Sequence, residues 1–534
     1  MNRSTPALLS LAGGLMCGLA WTGWCSGLIL LVALVPFLIL EQLMWEYRGR
    51  YGRNSFLLYL LPGMVLFCMV AIGWMRVASL TGAIVVITGL AVLMSLTMHL
   101  AHIIRLRAGR ATGYISLITL WMSFELLSLN ATIISPWLNL GNGLSKDILF
   151  IQWYEVTGTA GGTLWILVSN IFITLALTGF AEGKTEGRKY LGFSLLVMIV
   201  PVIVSVQRYR NLEPDGTQSC KVLIIQPDID PFTEKFTIPF EEQLDRVIRM
   251  AAGSITPGTQ WIITPETTVD DPVNLDSVAD NKYVIRLKHL AGQFPDAAVA
   301  AGLVSFRSYH GMKSPPTRSA RETGIPGEYY DHYNSAFRLD TGSSFEVYHK
   351  SKLVPGIEMQ FAGGPGRLIS RILPYLGGTK WGYGIQTDRT CLTHKATGMK
   401  VAPIICYESV FGSFVRDYVK AGAEALFIMT NDGWWKGTSG YRQHLQYASL
   451  RAIETRRPVA RAANTGVSCI IDIRGRRTAE TGWWTPATLS GDIIPESRIT
   501  PYVKYGDYLL WMAASFSLLI ILKVFVADRL RYRR

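Results

Sequence analysis

The sequence predicts two parts, a multi-span α-helical membrane domain with eight spans and an α/β domain outside the bilayer. Composition is the first observation behind this prediction, because 49% of the 534 residues are hydrophobic and only 17% are charged. Such a chain is too apolar for an ordinary soluble protein and too charged to lie wholly in lipid. The second observation is segregation. Long apolar runs fill residues 1–207, whereas short β-rich runs and amphipathic helical patterns fill residues 208–506.

The spans are predicted where apolar runs approach the roughly 20 residues that a helix needs to cross a bilayer. The runs that precede the α/β domain lie at 8–23, 25–41, 56–75, 81–104, 113–131, 161–181 and 189–207. The first two are the shortest, and a tight turn joins them. An eighth run covers 508–527, in a terminal segment 507–534 that ends in a basic tail.

The basic residues of the loops predict the orientation of the spans. Arginine and lysine are concentrated in three loops and in the tail, at 46–54, 105–110, 182–189 and 528–534. With eight spans these segments share one side of the membrane, which the positive-inside rule identifies as cytoplasmic. We therefore expect residues 208–506 on the opposite side. Topology then explains much of the formal charge of +13, and no basic stripe with interleaved aromatic residues indicates a nucleic-acid partner.

Short apolar runs that are rich in β-forming residues predict the strands of the α/β domain. They lie at 221–227, 261–266, 299–306, 335–340, 401–408, 424–432, 459–466 and 467–475. Helical patterns at 240–254 and 441–457 separate several of them. This alternation predicts layered sheets with helices outside. Two segments rich in Gly, Pro and Arg, 305–330 and 359–390, are predicted to be long loops.

The cysteines indicate neither a metal site nor a disulfide framework. The chain contains no CxxC pair, and its seven cysteines are Cys17, Cys25, Cys68, Cys220, Cys391, Cys406 and Cys469. The first three lie in apolar segments, and a bridge among Cys220, Cys391 and Cys469 stays open. No metal or cofactor motif is visible, so we expect neither group.

Three predicted strand ends carry side chains that suit acyl transfer through a thioester. Glu266 follows one strand, Lys350 precedes another run, and Cys406 ends a third. The carboxylate can accept the thiol proton, the ammonium can stabilise the thiolate and the oxyanion, and the thiolate is the nucleophile. Each residue also has a purely structural explanation. A glutamate after a strand is often a solvated cap, a lysine in a basic loop is usually surface charge, and a lone cysteine is usually packed.

In their order along the chain these motifs resemble the nitrilase superfamily, whose catalytic set is Glu–Lys–Cys. The matching segments are PET at 265–267, YHKSKLVP at 348–355, ICYE at 405–408, NDGWW at 431–435 and the long run 444–475. A domain of this kind between seven spans and one further span resembles the apolipoprotein N-acyltransferase family. The resemblance covers nearly the whole chain and implies a nitrilase-like α-β-β-α sandwich for residues 208–506.

The resemblance assigns roles residue by residue. Glu266 resembles the general base, Lys350 the lysine of the triad and Cys406 the nucleophile. Lys350 is preferred to Lys352 because the family lysine sits three positions before the LVP motif. A second glutamate that supports the triad corresponds to Glu358.

Four further residues match positions around the site in this family. Tyr407 and Glu408 resemble the pair that follows the nucleophile, Asn334 an asparagine near the site, and Trp434 a tryptophan of a mobile loop near the acyl chain. Two explanations of Glu408 stay open, since it can orient the lysine or the thiol, or form a plain structural salt bridge.

Two positions depart from the family pattern. The family usually has LVPFGE, whereas this chain has LVPGIE at 353–358, so the turn before Glu358 is expected to differ. The family often has a tryptophan after a lysine in the first loop of the domain, where this chain has Phe236 after Lys235. An aromatic residue is retained there, but its role is left open.

The resemblance implies an enzyme of the bacterial inner membrane with its catalytic domain on the periplasmic face and both termini in the cytoplasm. It implies an acyl donor that is a membrane phospholipid and an acceptor that is a diacylglyceryl-modified apolipoprotein, with no cofactor. Apolar residues at 368–376 could enter the headgroup region or form a short packed helix. Trp434, Trp435 and Phe361 could cover the thioester or serve as core aromatics.

Two alternatives remain at this stage. A membrane-tethered amidase or nitrile hydrolase would use the same triad but would admit water to the thioester. A transporter or receptor with a non-catalytic outer domain is suggested by Glu125, because acidic residues within spans are often functional.

Overall fold

The computed structural model describes residues 4–131, 134–294, 296–342, 345–359 and 382–526. The described residues form two compact units. The first contains the helices up to Leu212 and those from Tyr505 onwards, and the second contains Glu213–Lys504. Three parts of the sequence interpretation, the apolar stretch 368–376, Phe361 and the basic tail 528–534, lie outside the described residues.

Long apolar helices dominate the first unit. Seven helical stretches of the described residues are long and apolar enough to cross a membrane: Gly27–Glu46, Ser55–Val77, Leu80–Ala108, Arg110–Asn130, Thr159–Ala181, Glu186–Asn211 and Tyr508–Phe525. Four shorter helical turns lie between Arg110–Asn130 and Thr159–Ala181, at Pro136–Leu138, Leu140–Leu144, Ile148–Phe150 and Tyr154–Thr157. These seven stretches coincide with seven of the eight predicted spans.

The first predicted span differs from the prediction. The helix there, Thr5–Leu19, has 15 residues, which is about 22 Å at 1.5 Å per residue and less than the roughly 30 Å of a hydrocarbon core. It ends early because the predicted run 8–23 includes a turn, in which the Thr22 hydroxyl donates to the Leu19 carbonyl. The described residues therefore contain seven long apolar stretches and one short apolar helix at the positions of the eight predicted spans.

Glu125 is satisfied within the membrane unit. Its Oε1 accepts hydrogen bonds from the Trp121 indole at 3.2 Å and the Leu140 backbone at 2.7 Å, and its Oε2 accepts one from the Thr163 hydroxyl at 2.7 Å. These partners lie on two helices and on the turn between them. The buried acid thus joins elements of the fold, which is the purely structural use of such a residue.

The second unit is an α/β sandwich of two sheets. In chain order its strands are β1 Cys220–Gln226, β2 Thr259–Ile263, β3 Val269–Asn274, β4 Ala298–Tyr309, β5 Arg321–Glu322, β6 Tyr329–Leu339, β7 Glu346–His349, β8 Leu392–Thr393, β9 Lys400–Ile405, β10 Ala425–Thr430, β11 Val459–Ala463, β12 Cys469–Ile471, β13 Arg477–Glu480 and β14 Ala487–Ile493. All eight β-rich runs that were predicted contain a strand.

The strands separate into two sheets with parallel centres. The first sheet has the order β14-β1-β2-β4-β6-β5, with β3 on β4 and β7 on β6. The second sheet has the order β13-β12-β11-β10-β9-β8. The pairs β1–β2 and β2–β4 are parallel, as are β9–β10 and β10–β11. Parallel strands end at the same edge of a sheet, so residues that follow them lie close together.

Helices cover the outer face of each sheet. Phe240–Ser254 and Lys282–Gly292 pack on the first sheet around a core that includes Leu244, Leu287 and Val299. The helices Gly412–Lys420 and Ser439–Thr455 follow strands of the second sheet.

The inner faces of the two sheets meet through aromatic contacts. Trp261 of β2 and Phe427 of β10 pack edge to face, with ring centroids 5.3 Å apart. The predicted α-β-β-α order is confirmed. All seven cysteines are free, so the bridge left open among Cys220, Cys391 and Cys469 is not formed.

Close packing between the helices Thr5–Leu19 and Ser55–Ile72 yields a stability prediction. A Cβ atom at Gly63 would lie 2.2 Å from the Ser10 carbonyl oxygen, whereas one at Gly89 would meet nothing within 4 Å. We expect Gly63→Ala to destabilise the protein by about 1–3 kcal/mol, the usual cost of overpacking. Gly89→Ala is the matched control and should leave the thermal unfolding midpoint in detergent unchanged. Equal midpoints for the two variants would contradict the close contact.

Candidate active site

The nucleophile predicted by the sequence sits on a strained turn at the end of β9. Cys406 follows this buried strand directly and opens the helical turn Cys406–Val410. Its φ angle is +50°, in the left-handed region that residues other than glycine rarely adopt. Such a conformation costs about 1–2 kcal/mol, so the surrounding contacts must hold it. The turn carries the thiol away from the sheet at the edge where β9 ends.

The two other members of the predicted triad come from the first sheet. Glu266 lies just after β2, and Lys350 directly follows β7. The Lys350 Nζ atom is 2.9 Å from Glu266 Oε1 and 2.8 Å from Glu358 Oε1. Only 1% of the Lys350 side chain is exposed. The structure therefore places this ammonium between two carboxylates.

Asn334 on β6 orients both carboxylates. Its side-chain N–H₂ donates to Glu266 Oε1 at 2.8 Å and to Glu358 Oε1 at 3.2 Å. The other oxygen of Glu358 accepts a hydrogen bond of 2.8 Å from the Val354 backbone. Each carboxylate thus has an amide and an ammonium as donors, which satisfies its buried oxygen.

In this chain the LVPGIE segment still brings Glu358 to Lys350. Gly356 has a φ angle of +80°, which glycine adopts without steric cost, and the Glu358 backbone N–H bonds to the Val354 carbonyl at 3.0 Å. The tight turn therefore returns the carboxylate to Lys350.

The electrostatics of the site favour an ion pair beside a neutral thiol at rest. Burial alone would lower the pKa of the Lys350 ammonium, but Glu266 and Glu358 hold it well above its usual range. Burial alone would raise the pKa of Glu266, but Lys350 and Asn334 hold it below its ordinary value. Burial, together with the charge of Glu266, raises the pKa of the Cys406 thiol, and the nearby Lys350 opposes that rise. The thiol is therefore protonated until a reaction draws its proton away.

Glu408 links the two sheets at the site. Its Oε1 accepts hydrogen bonds of 2.5 Å from the Tyr348 hydroxyl and 2.6 Å from the Ser351 backbone, and its Oε2 accepts one of 2.8 Å from the Ile405 backbone. Burial raises the pKa of this carboxyl to about 7. Of the two explanations left open, these bonds favour an orienting role over a plain salt bridge. These bonds hold the backbone next to Lys350 and the backbone next to the nucleophile.

The remaining aromatic residues from the sequence interpretation lie at different depths. Tyr407 is buried edge-on against Phe411, with ring centroids 5.1 Å apart. Trp434 is 37% exposed and packs edge-on against Phe232 at 5.6 Å. Phe236 is 74% exposed, and the structure does not bring it to the Glu–Lys–Cys cluster.

Lys235 is a site residue that the sequence interpretation did not single out. Its Nζ donates to the Thr267 hydroxyl at 2.8 Å and lies 3.6 Å from Asp270 Oδ2. Its positive charge contributes to the lowered pKa of Glu266. The available signal in the sequence was its place directly before Phe236.

Three further buried residues lie beside the nucleophile: Asp432, His444 and Arg461. They belong to the motifs at 431–435 and 444–475, which gave them no role. Asp432 and His444 are hydrogen-bonded, and the His444 ring lies against the Cys406 carbonyl. Among the described residues, no group of three or more His, Cys, Asp or Glu side chains is placed to hold a metal ion. Together, Glu266, Lys350 and Cys406 can deprotonate a thiol, stabilise negative charge beside it and form a thioester.

Similarity to known proteins covers both units. A family model described as carbon-nitrogen hydrolase matches residues 224–500, and one described as apolipoprotein N-acyltransferase N-terminal domain matches residues 13–172. The apolipoprotein N-acyltransferase of Chlorobaculum tepidum is 30% identical over 533 residues, which is 94% of this chain and 93% of that protein. That of Geobacter metallireducens is 27% identical over 421 residues, or 76% of this chain and 73% of that protein.

Among solved structures, Nit3 of Saccharomyces cerevisiae, a member of branch 10 of the nitrilase superfamily, covers 54% of this chain and 92% of its own, with 14% identity and a TM-score of 0.37. The sequence similarity to the curated proteins is the more extensive finding, because it spans the helical unit and the sandwich together. On that similarity, this chain belongs to the apolipoprotein N-acyltransferase family.

Proposed function

We propose that this protein transfers an acyl chain from a membrane phospholipid to the α-amine of the N-terminal diacylglyceryl-cysteine of apolipoproteins. The observation that carries the proposal is the buried Lys350 ammonium held by Glu266 and Glu358 beside the thiol of Cys406. The seven long apolar stretches support lipid substrates, because both the donor and the acceptor are anchored in the bilayer. The relatives named apolipoprotein N-acyltransferase support the nature of the acceptor.

In the first half-reaction the thiol attacks the ester carbonyl of the phospholipid. Glu266 accepts the thiol proton as the sulfur–carbon bond forms, and Lys350 stabilises the oxyanion of the tetrahedral intermediate. The carbon–oxygen bond then breaks, and Glu266 returns the proton to the departing alkoxide. The products are a lysophospholipid and an acyl thioester on Cys406.

In the second half-reaction the α-amine of the acceptor attacks the thioester. An α-amine has a reference pKa of about 7.7–8.0, so a base can readily supply its neutral form. Glu266 accepts a proton from the attacking nitrogen, the carbon–sulfur bond breaks, and the thiolate is protonated again. The product is an amide-linked third acyl chain.

The same chemistry explains why both glutamates are needed around one lysine. With Glu266 ionised, the Lys350 charge is partly neutralised at rest. When Glu266 takes the thiol proton, the ammonium is left with Glu358 alone and turns its remaining attraction to the developing oxyanion. Glu358 keeps the lysine charged and in place through both half-reactions.

The membrane location and orientation complete the proposal. The enzyme lies in a bacterial inner membrane, its sandwich domain faces the periplasm, and both termini are cytoplasmic. The argument rests on the arginine- and lysine-rich loops at 46–54, 105–110 and 182–189 and on the tail 528–534.

The triad predicts graded losses of activity. Cys406→Ala should abolish both transfer and the acyl adduct, and Lys350→Met should reduce transfer by about 10²–10³-fold, a typical loss for an oxyanion-stabilising group. Lys352→Met is the matched control, because the Lys352 ammonium lies 4.9 Å from the Phe411 ring centroid and has no place in the mechanism. Transfer of labelled acyl chains by purified full-length variants measures these effects. Near-normal transfer by Cys406→Ala would exclude the thioester.

A chase experiment separates acyl transfer from hydrolysis. The enzyme is loaded with labelled phospholipid, freed of excess and mixed with buffer or with a diacylglyceryl-cysteinyl peptide. We expect accumulation of acyl-enzyme without acceptor, a slow buffer chase and a fast peptide chase that yields an amide. Release of labelled fatty acid into buffer as fast as the peptide reacts would identify a membrane-tethered hydrolase.

Thiol labelling tests the orientation. In a cysteine-free background, Ala108→Cys and Ser314→Cys place single thiols at exposed positions of the two units. With right-side-out inner-membrane vesicles, an impermeant maleimide should label Ser314→Cys and spare Ala108→Cys until detergent is added. The reverse pattern would place the sandwich domain in the cytoplasm.

A further inference from the structure

A buried cluster of ionisable side chains lies under the turn that carries the nucleophile, and the proposed reaction uses none of them. Asp432 is in the turn after β10, His444 is on the helix Ser439–Thr455, and Arg461 is on β11. We name these three residues the Asp432 cluster. Asp432 Oδ1 lies 3.0 Å from His444 Nδ1, and Asp432 Oδ2 accepts a hydrogen bond of 2.5 Å from Arg461 Nη2. None of the three side chains has exposed surface.

Further hydrogen bonds anchor Asp432 and Arg461 to their surroundings. The Thr430 hydroxyl donates to Asp432 Oδ1 at 2.8 Å, and Arg461 Nη1 donates to the Val467 carbonyl at 2.7 Å. Burial alone would raise the pKa of Asp432, but Arg461 and His444 hold it well below its usual range. The carboxylate is therefore ionised and pairs with the guanidinium, so the position of the imidazole is firmly set.

The second ring nitrogen of His444 reaches the nucleophile's own backbone. His444 Nε2 lies 3.1 Å from the Cys406 carbonyl oxygen and 2.9 Å from Ser409 Oγ. Ser409 Oγ donates to the same carbonyl at 2.8 Å. The carbonyl of the residue with the left-handed backbone thus contacts two side chains at once.

Each ring nitrogen of His444 faces an acceptor, the Asp432 carboxylate at Nδ1 and the Cys406 carbonyl at Nε2, so both nitrogens need a proton. A backbone carbonyl can only accept, and the Ser409 hydroxyl lies within hydrogen-bond distance of both this carbonyl and Nε2. Without a proton on Nε2, the nitrogen lone pair would face the Cys406 carbonyl oxygen at 3.1 Å. With that proton, His444 donates to the Cys406 carbonyl and the contact becomes favourable.

Building on the proposed function, we propose that His444 is a positioning residue for the nucleophile. It donates from Nε2 to the Cys406 carbonyl while Asp432 and Arg461 hold the imidazole in place. A left-handed backbone persists in a residue other than glycine only where its surroundings enforce it. Because the peptide after Cys406 is planar, a held carbonyl fixes the orientation of the whole peptide and of the thiol beside it.

Two amide replacements of His444 test this role. A glutamine places its N–H₂ near the position of Nε2 and can still donate to the Cys406 carbonyl, whereas an asparagine ends near the position of Nδ1 and cannot. Since a displacement near 1 Å can cost about 10²-fold in rate, we expect that loss in His444→Asn and a loss under about 10-fold in His444→Gln. The measurement is the single-turnover rate of acyl adduct formation on Cys406, followed by mass spectrometry of the full-length protein.

Ser409→Ala tests the direction of the hydrogen bond. If Nε2 donates to the carbonyl, removal of the hydroxyl leaves that bond in place and the rate should fall only a few-fold. A loss equal to that of His444→Asn would mean that Ser409 alone holds the carbonyl, and the proposal would be wrong. His394→Gln is a matched control, because His394 is also buried and its Nε2 lies 2.9 Å from a backbone carbonyl, that of Asp296. Its rate should equal that of the wild type.

Thermal unfolding and thiol alkylation distinguish a positioning role of His444 from a loss of stability and from a failure of the proposed function. Equal rates for His444→Gln and His444→Asn, or losses that follow the unfolding midpoints across all four variants, would overturn the positioning role. The alkylation rate of Cys406 by iodoacetamide should show the same order of variants and needs no lipid substrate. If the wild type forms no acyl adduct but alkylation keeps this order, the proposed function fails while the role of His444 stands.

Discussion

The buried ammonium of Lys350 is the constraint on which the site depends. A charge removed from water is costly unless it is paired and hydrogen-bonded, and only 1% of this side chain is exposed. The two carboxylates that compensate it lie in the segments after β2 and after β7, and Asn334 bridges both. Loss of any one of these groups would leave a buried charge or a buried donor without a partner. The side chains at this edge of the first sheet are therefore arranged around the Lys350 Nζ atom.

The second sheet presents the nucleophile. Its strand β9 ends at Cys406, whose left-handed backbone conformation is unfavourable by itself. Glu408 fastens the end of β9 to the segment after β7, so the two sheets are tied together at the point where their functional side chains meet. His444 holds the same turn from below. Strain at the nucleophile is thus balanced by hydrogen bonds from residues that do not touch the substrate.

Buried hydrogen bonds and close packing of helices stabilise the membrane unit. The buried Glu125 is satisfied there within the helices and their connections, by donors from an indole, a backbone and a hydroxyl. Glycines such as Gly63 allow backbones to approach where no side chain would fit. Together with the sandwich, this arrangement suits an enzyme whose two substrates both remain in the bilayer while one nucleophile serves them in turn.

The sequence alone determined the division into apolar helices and an α/β domain, seven of the eight predicted spans and the positions of eight of the strands. These are local properties, since run length, alternation and turn residues are readable within a short window. It also indicated Glu266, Lys350 and Cys406 through their order. The motif spacing favoured Lys350 over Lys352, and only the tertiary structure brings Lys350 to Glu266 across 84 positions. The hydrogen-bond partners of Glu408 and the roles of Lys235 and His444 came only from the tertiary structure, because each depends on how the two sheets pack, which no local pattern encodes.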